Sequence, residues 1–208
     1  MKKLAILGSG DLGCLIAHHA PDSGYEVVGF FDDFTTDKKV NGITVLGKSD
    51  SILELYSNQV FSHLLIAIGY KHLIARSDFF QKWKGKIPYA NIIHSSSYVD
   101  QSVNLGEGIV ILPGCKLDKG VVINDNVLLN TGVVIAHDTV IGYNSFLAPG
   151  VTLAGFINIG SSCFIGVGTT IIDNISIIDE SQTGGGSVVV RNIDKKGLYV
   201  GTPARFVK

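Results

Sequence analysis

From Ile93 to Ile177 an aliphatic side chain returns at every sixth residue, without a single insertion. The marks are Ile93, Val99, Leu105, Ile111, Leu117, Ile123, Leu129, Ile135, Ile141, Leu147, Leu153, Ile159, Ile165, Ile171 and Ile177. Two residues before each mark from Val99 on stands a small or branched side chain, as in Cys115, Val121, Val127, Val133, Thr139, Ser145 and Cys163. Residues two apart share one face of a strand, so both sets point inward. An ordinary sheet does not keep so fixed a pitch. A parallel β-helix does, because each short strand pairs with the strand one coil earlier. Three hexads close a triangular coil, so the run holds about five coils spaced by roughly 4.8 Å. Gly106, Asp118, Asn124, Gly142, Gly160 and Gly166 follow marks and are expected at the corners. Cys115 and Cys163 occupy inward positions and read as packing residues.

The residue just before each mark points outward. In the middle of the run these are Val122, Leu128, Val134, Val140 and Phe146, whereas Asn104, Lys116, Asn158 and Ser176 flank them. An apolar belt of this kind is expected to be buried against another copy of the chain.

The first 90 residues follow different rules. KLAILGSGDLGCLIAHHA reads as a buried strand, a glycine-rich turn and the start of a helix, with Gly8, Gly10 and Gly13 in a G-x-G-x-x-G pattern. A second strand, VVGFFDD, ends in Asp32 and Asp33, and a third, HLLIAIG, precedes an Arg- and Lys-bearing helix. Such a turn lets the backbone approach a phosphate at a helix N-terminus, and an acid about twenty residues on can bind a ribose hydroxyl. Asp32 and Asp33 read equally well as polar caps on the strand end. The α/β region has room for one mononucleotide-binding half, whereas a dinucleotide usually spans two. That sets a nucleotide-linked ligand above a nicotinamide-dependent oxidoreductase. The boundaries expected are 1–90 for an α/β domain and 91–208 for the β-helix. His18, His19, His63, His72 and His94 read as solvated or structural.

Hydrophobic residues make up 46% of the 208 and charged residues 17%, which describes a globular chain. A net charge of −1 argues against nucleic-acid or membrane partners. Three scattered cysteines suit a reducing compartment, and MKKLAILGSG has too short an apolar stretch for a signal peptide. The expectation is a soluble, cytoplasmic protein with no metal.

The hexad run resembles the left-handed β-helix (hexapeptide-repeat) acyltransferases, and the left hand is implied by that resemblance alone. With the α/β domain in front, nearly the whole chain resembles the bacterial nucleotide-sugar N-acetyltransferases of surface-glycan (O-antigen type) synthesis and the related sialic acid O-acetyltransferases. GSGDLG, FFDD, LLIAIG, LLNTGVVIAHDTVIG, TGGGSVVV and the terminal YVGTPARFV carry the likeness. It implies a homotrimer with sites between neighbouring prisms, and acetyl-CoA as co-substrate. It places the general base on His137 and its tuning acid on Asp138. Imidazole suits the task, since an amine attacking a thioester must shed a proton near neutral pH. By position the coenzyme contacts fall on Phe146, Gly155, Val167 and Gly185, with Arg205 at a coenzyme phosphate. Gly155 is the expected oxyanion donor. The sugar nucleotide is expected at Gly10, Asp11, Leu12, Asp32, Asp33 and Gly69, with Asn130 positioning the amine. Two departures stand out: Phe146 replaces a histidine common among relatives, and Gly10-Asp11-Leu12 replaces a Gly-Gly-His-like loop.

The acceptor implied is a nucleotide-linked 4-amino-4,6-dideoxy sugar, attacked directly without an acyl-enzyme. O-acetylation of a sugar hydroxyl would use the same base. A noncatalytic nucleotide-sugar-binding scaffold is the remaining alternative.

Overall fold

The computed structural model describes residues 1–208, which divide into two compact units, Met1–Ile92 and Ile93–Lys208. In the first, β1 (Lys2–Leu7) lies between β2 (Tyr25–Phe31) and β5 (His63–Ile66), all parallel. Helices α1 (Asp11–His19), α2 (Ile52–Ser57) and α3 (Leu73–Trp83) connect and follow these strands. A central strand covered on both faces should read as a continuous apolar run; Leu4 to Leu7 of β1 are all buried.

A hairpin absent from the sequence reading completes this sheet. β3 (Lys39–Val40) pairs antiparallel with β4 (Ile43–Gly47), and β4 continues the parallel sheet beside β2. Asn41 and Gly42 form the turn with φ of 46° and 80°, the doubly left-handed geometry that Asn-Gly favours.

The second unit is a three-faced parallel β-helix. Its strands are two residues long, each ending on a mark, and each pairs with the strand one coil away, as Lys116–Leu117 does with Val134–Ile135. Backbone bonds between coils follow the same step; the Lys116 N–H donates to the Val133 carbonyl at 2.8 Å. Marks and their inward partners form one core from Ile109 to Ile193, including Cys115 and Cys163. Burial pushes the Cys163 thiol up to about 11, as its packing role requires.

The coil outruns the aliphatic series. Gln182–Thr183 and Val188–Val189 add two more strands, with Thr183 buried at a mark position. Its hydroxyl accepts from the Gly166 N–H at 2.9 Å, which satisfies a polar group inside the prism. A hairpin, Leu198–Val200 with Arg205–Phe206, closes this end.

Two expectations need correction. The residues with left-handed φ fall three places after each mark, not directly after it. They stack in three columns, one per corner: Gly120, Asp138, Phe156 and Asn174; Gly108, Asn126, Asn144, Ser162 and Glu180; Gly114, Gly132, Gly150, Gly168 and Gly186. Gly142, directly after a mark, is required instead by close approach, since a Cβ there would collide with the Gly160 backbone one coil on. The outward belt is also not all open. Leu128 and Phe146 are already covered within the single chain, at 1% and 5% exposure. Val122, Val134 and Val140, on the other two faces, remain half-buried.

Candidate active site

His137 and Asp138 lie on the corner that follows the Val134–Ile135 strand. Asp138 adopts φ of 55°, a conformation that Asp tolerates better than most side chains. The turn brings its carboxylate to the imidazole: Oδ2 lies 3.0 Å from Nδ1 of His137. A carboxylate can only accept, so Nδ1 carries the hydrogen and Nε2 of the neutral ring keeps its lone pair. Both side chains are open, at 46% and 43% exposure.

One coil on, the same corner presents Gly155 and Phe156. A Cβ at Gly155 would lie 2.7 Å from Cε1 and 2.8 Å from Nε2 of the His137 ring. Only glycine lets the ring lie there. The Gly155 N–H donates to no acceptor within the chain. Phe156 stands edge-on to the imidazole, with ring centroids 5.1 Å apart at 87°. Its N–H donates to the His137 carbonyl at 3.1 Å.

The remaining coenzyme candidates lie elsewhere on the prism. Val167 and Gly185 stack one coil apart on the all-glycine corner, where a Cβ at Gly185 would meet the Val167 carbonyl at 3.4 Å. Asn130 belongs to that corner too, and its Oδ1 accepts from the Thr131 N–H at 2.8 Å. One face of the prism separates this corner from His137. Phe146 lies on another face, its ring 6.0 Å from that of Phe164. Arg205 is exposed in the closing hairpin. A single chain thus groups His137, Asp138 and Gly155 at one corner, and Val167, Gly185 and Asn130 at the next.

In the first unit the turn after β1 has the expected form. Gly8 takes φ of 106°, a Cβ there would lie 2.8 Å from the Ala67 carbonyl oxygen, and Gly10 opens α1 as its N-cap. A Cβ at Gly13 would collide with the Gly8 carbonyl, so α1 can approach the strand end only with glycine there. Gly10 and Asp11 are exposed and Leu12 half-buried. Gly69 caps the short turn Tyr70–His72 after β5.

Asp32 is bound into the chain. Oδ2 accepts from the Ser9 N–H at 2.8 Å and the Ser9 hydroxyl at 2.7 Å. Oδ1 accepts from the N–H groups of Phe34 at 2.9 Å and Thr35 at 3.1 Å. Burial pushes this carboxyl up, but the four hydrogen bonds together outweigh it and hold the group below its ordinary value. Asp33 accepts from the Ser49 N–H at 2.7 Å and hydroxyl at 2.9 Å. Both acids therefore act as strand-end clamps, and Asp32 locks the glycine-rich turn in place. Ser9, which grips Asp32, and Phe156, which meets the His137 ring, are contacts of the candidate residues that sequence reasoning missed.

No helix is long and apolar enough to cross a membrane. No three His, Cys, Asp or Glu side chains gather where they could hold a metal.

The PglD N-terminal domain family matches residues 3–82, and the bacterial transferase hexapeptide (six repeats) family matches residues 120–155. No curated protein matches the chain. Among solved structures, PerB from Caulobacter crescentus in complex with CoA and GDP-perosamine is 30% identical with a TM-score of 0.93, over 100% of this chain and 98% of that one. A histidine-to-alanine variant of the GDP-perosamine N-acetyltransferase from Caulobacter crescentus, also holding CoA and GDP-perosamine, is 29% identical with a TM-score of 0.94, over 100% and 98% of the two chains. The acetyltransferase domain of PglB from Neisseria gonorrhoeae FA1090, in complex with acetyl coenzyme A, is 26% identical with a TM-score of 0.90, over 99% of each chain.

Proposed function

The chain belongs to the hexapeptide-repeat nucleotide-sugar acetyltransferases, and from that premise we propose that it moves acetyl from acetyl-CoA to the amino group of a nucleotide-linked 4-amino-4,6-dideoxy sugar. The observation that carries this reading is the His137–Asp138 pair at 3.0 Å on an open corner. Transfer to nitrogen is favoured over transfer to oxygen because a solved relative is an N-acetyltransferase that binds a nucleotide-linked sugar.

The sugar amine attacks the thioester carbonyl, forming the C–N bond as its proton passes to Nε2 of His137. Asp138 keeps the other ring nitrogen protonated and steadies the imidazolium. The free Gly155 N–H faces the developing oxyanion. Collapse of the intermediate breaks the C–S bond, and the departing sulfur takes up a proton to leave as free CoA. No acyl-enzyme forms.

The two corners are joined across a seam. In a homotrimer of left-handed prisms, the His137 corner of one protomer meets the Val167, Gly185 and Asn130 corner of its neighbour, and acetyl-CoA lies between them. Arg205 completes the coenzyme contacts at a phosphate, whereas Phe146, covered within the chain, has no open face left for the coenzyme. Gly10, Asp11, Leu12 and Gly69 hold the sugar nucleotide, with Asp32 and Asp33 shaping that pocket. Residues 1–90 thus carry the acceptor and 91–208 the donor. The reaction belongs to the cytoplasmic stage of surface-polysaccharide synthesis.

The test is His137→Ala, assayed by thiol release and product mass with GDP-, UDP- and dTDP-linked amino sugars. Turnover should fall about 10²–10⁴-fold, while the variant stays trimeric and still binds CoA. Retention of most turnover would place the base elsewhere.

A further inference from the structure

Phe156 combines two costs that a structural residue at a corner would avoid. Its φ of 58° is left-handed, a conformation that is a genuine outlier for a bulky side chain. The other left-handed residues of its column are Gly120, Asp138 and Asn174, types that accept this conformation. The residue is also 57% exposed in the single chain and takes no part in the packed core of the prism. Strain kept at an exposed aromatic is the kind of outlier that points to function.

The ring of Phe156 stands edge-on to His137, with centroids 5.1 Å apart at 87°. Its own backbone is tied to the same residue, since the Phe156 N–H donates to the His137 carbonyl at 3.1 Å. The imidazole is therefore met on three sides: Asp138 at Nδ1, Gly155 against Cε1 and Nε2, and Phe156 at the ring plane. An open imidazole with a single hydrogen bond can still turn about that bond. A wall at right angles prevents the turn.

The geometry points to Phe156 as a positioning residue for acetyl transfer, a brace that holds Nε2 of His137 at the angle needed to receive the amine proton. This rests on His137 being the base, as proposed above. A brace acts on the angle of Nε2 and not on the hold of either substrate, so its effect belongs in kcat and not in KM.

Phe156→Gly separates the brace from a structural role, because glycine removes the ring and the backbone strain together. The expected result is a fall in kcat of about tenfold or more, KM for both substrates within about twofold, and a melting temperature unchanged or raised by up to about 4 °C, because relief of the left-handed strain offsets the added freedom of the unfolded chain. Phe156→Tyr, which keeps the ring, should return kcat to within about threefold of the parent. The inference is overturned by an unchanged kcat in Phe156→Gly, by a loss of kcat matched by a lower melting temperature, or by a rise in KM alone. His137→Ala runs alongside. Full turnover there removes the base and the brace together; a dead His137→Ala with a normal Phe156→Gly removes the brace only.

Discussion

Gly155→Ala puts the catalytic reading under direct strain. The added methyl would lie 2.7 Å from Cε1 and 2.8 Å from Nε2 of His137, and 3.2 Å from Nδ1. Carbon atoms settle at about 3.5 Å or more, so the imidazole must retreat by roughly 0.8 Å. It can do so only toward its open side, since Asp138 and Phe156 close the others. The φ of Gly155 lies outside the left-handed region. Alanine is thus tolerated by the backbone and stabilises the chain by about 0.4–1 kcal/mol through the unfolded state. A misplacement near 1 Å costs up to about 10²-fold in rate. The expected loss in kcat is therefore about 10–100-fold, or roughly 1.4–2.8 kcal/mol of activation free energy. Steady-state thiol release at saturating acetyl-CoA and amino-sugar nucleotide measures it. The same substitution in a His137→Ala background should cost nothing further, because the ring is already gone. Full turnover in Gly155→Ala would refute the argument. So would an equal loss in both backgrounds, which would mean that Gly155 acts on the substrate without the imidazole.

Asn144 tests the corner ladder of the prism. It is fully buried with φ of 60°, accepts from Asn126 Nδ2 at 2.8 Å and donates to Ser162 Oγ at 3.0 Å. Asn144→Ala strands a buried amide donor and puts alanine in a left-handed turn, so denaturant unfolding should show a loss of about 2–4 kcal/mol; a loss below about 1 kcal/mol would mean that the ladder contributes little. Asp32 tests the clamp on the glycine-rich turn. Its folded carboxyl lies below the ordinary value of 3.8, so its contribution is present above that pH and lost as pH falls through the folded value. Fluorescence of the sole tryptophan, Trp83, buried in the first unit, should report acid unfolding below about pH 4. Asp32→Asn should be less stable at pH 7 and show a flatter acid profile; an unchanged profile would remove Asp32 as its cause.

The β-helix was legible because its rule is local and repeats. Every mark that decides the fold lies six residues from the next, and every backbone partner lies one coil away. The same rule explains the early stop at Ile177, since Thr183 keeps the phase but not the apolar chemistry. In the first unit the strand–turn–helix around Gly8 to Gly13 was legible for the same local reason. The Asn41–Gly42 turn carries an equally local hairpin signal. Asp32 was harder, because a carboxylate at a strand end looks the same whether it faces a ribose or grips Ser9, which lies 23 residues earlier.

His137, the proposed base, stands out through its neighbours in sequence, whereas Phe156 needs the phase of the turn. Placing the corner directly after each mark hides the left-handed column three residues on. Once that phase is set, each column serves as its own control. Gly120, Asp138 and Asn174 suit the steric rule of their position; Ser162 and Glu180 depart from it in the second column, and Phe156, the aromatic among the departures, does so beside the imidazole. A periodic scaffold makes such a breach visible, because the fold has already stated what the position prefers. Phe156 is the bulky aromatic kept against that preference, and the ring that it meets is that of His137.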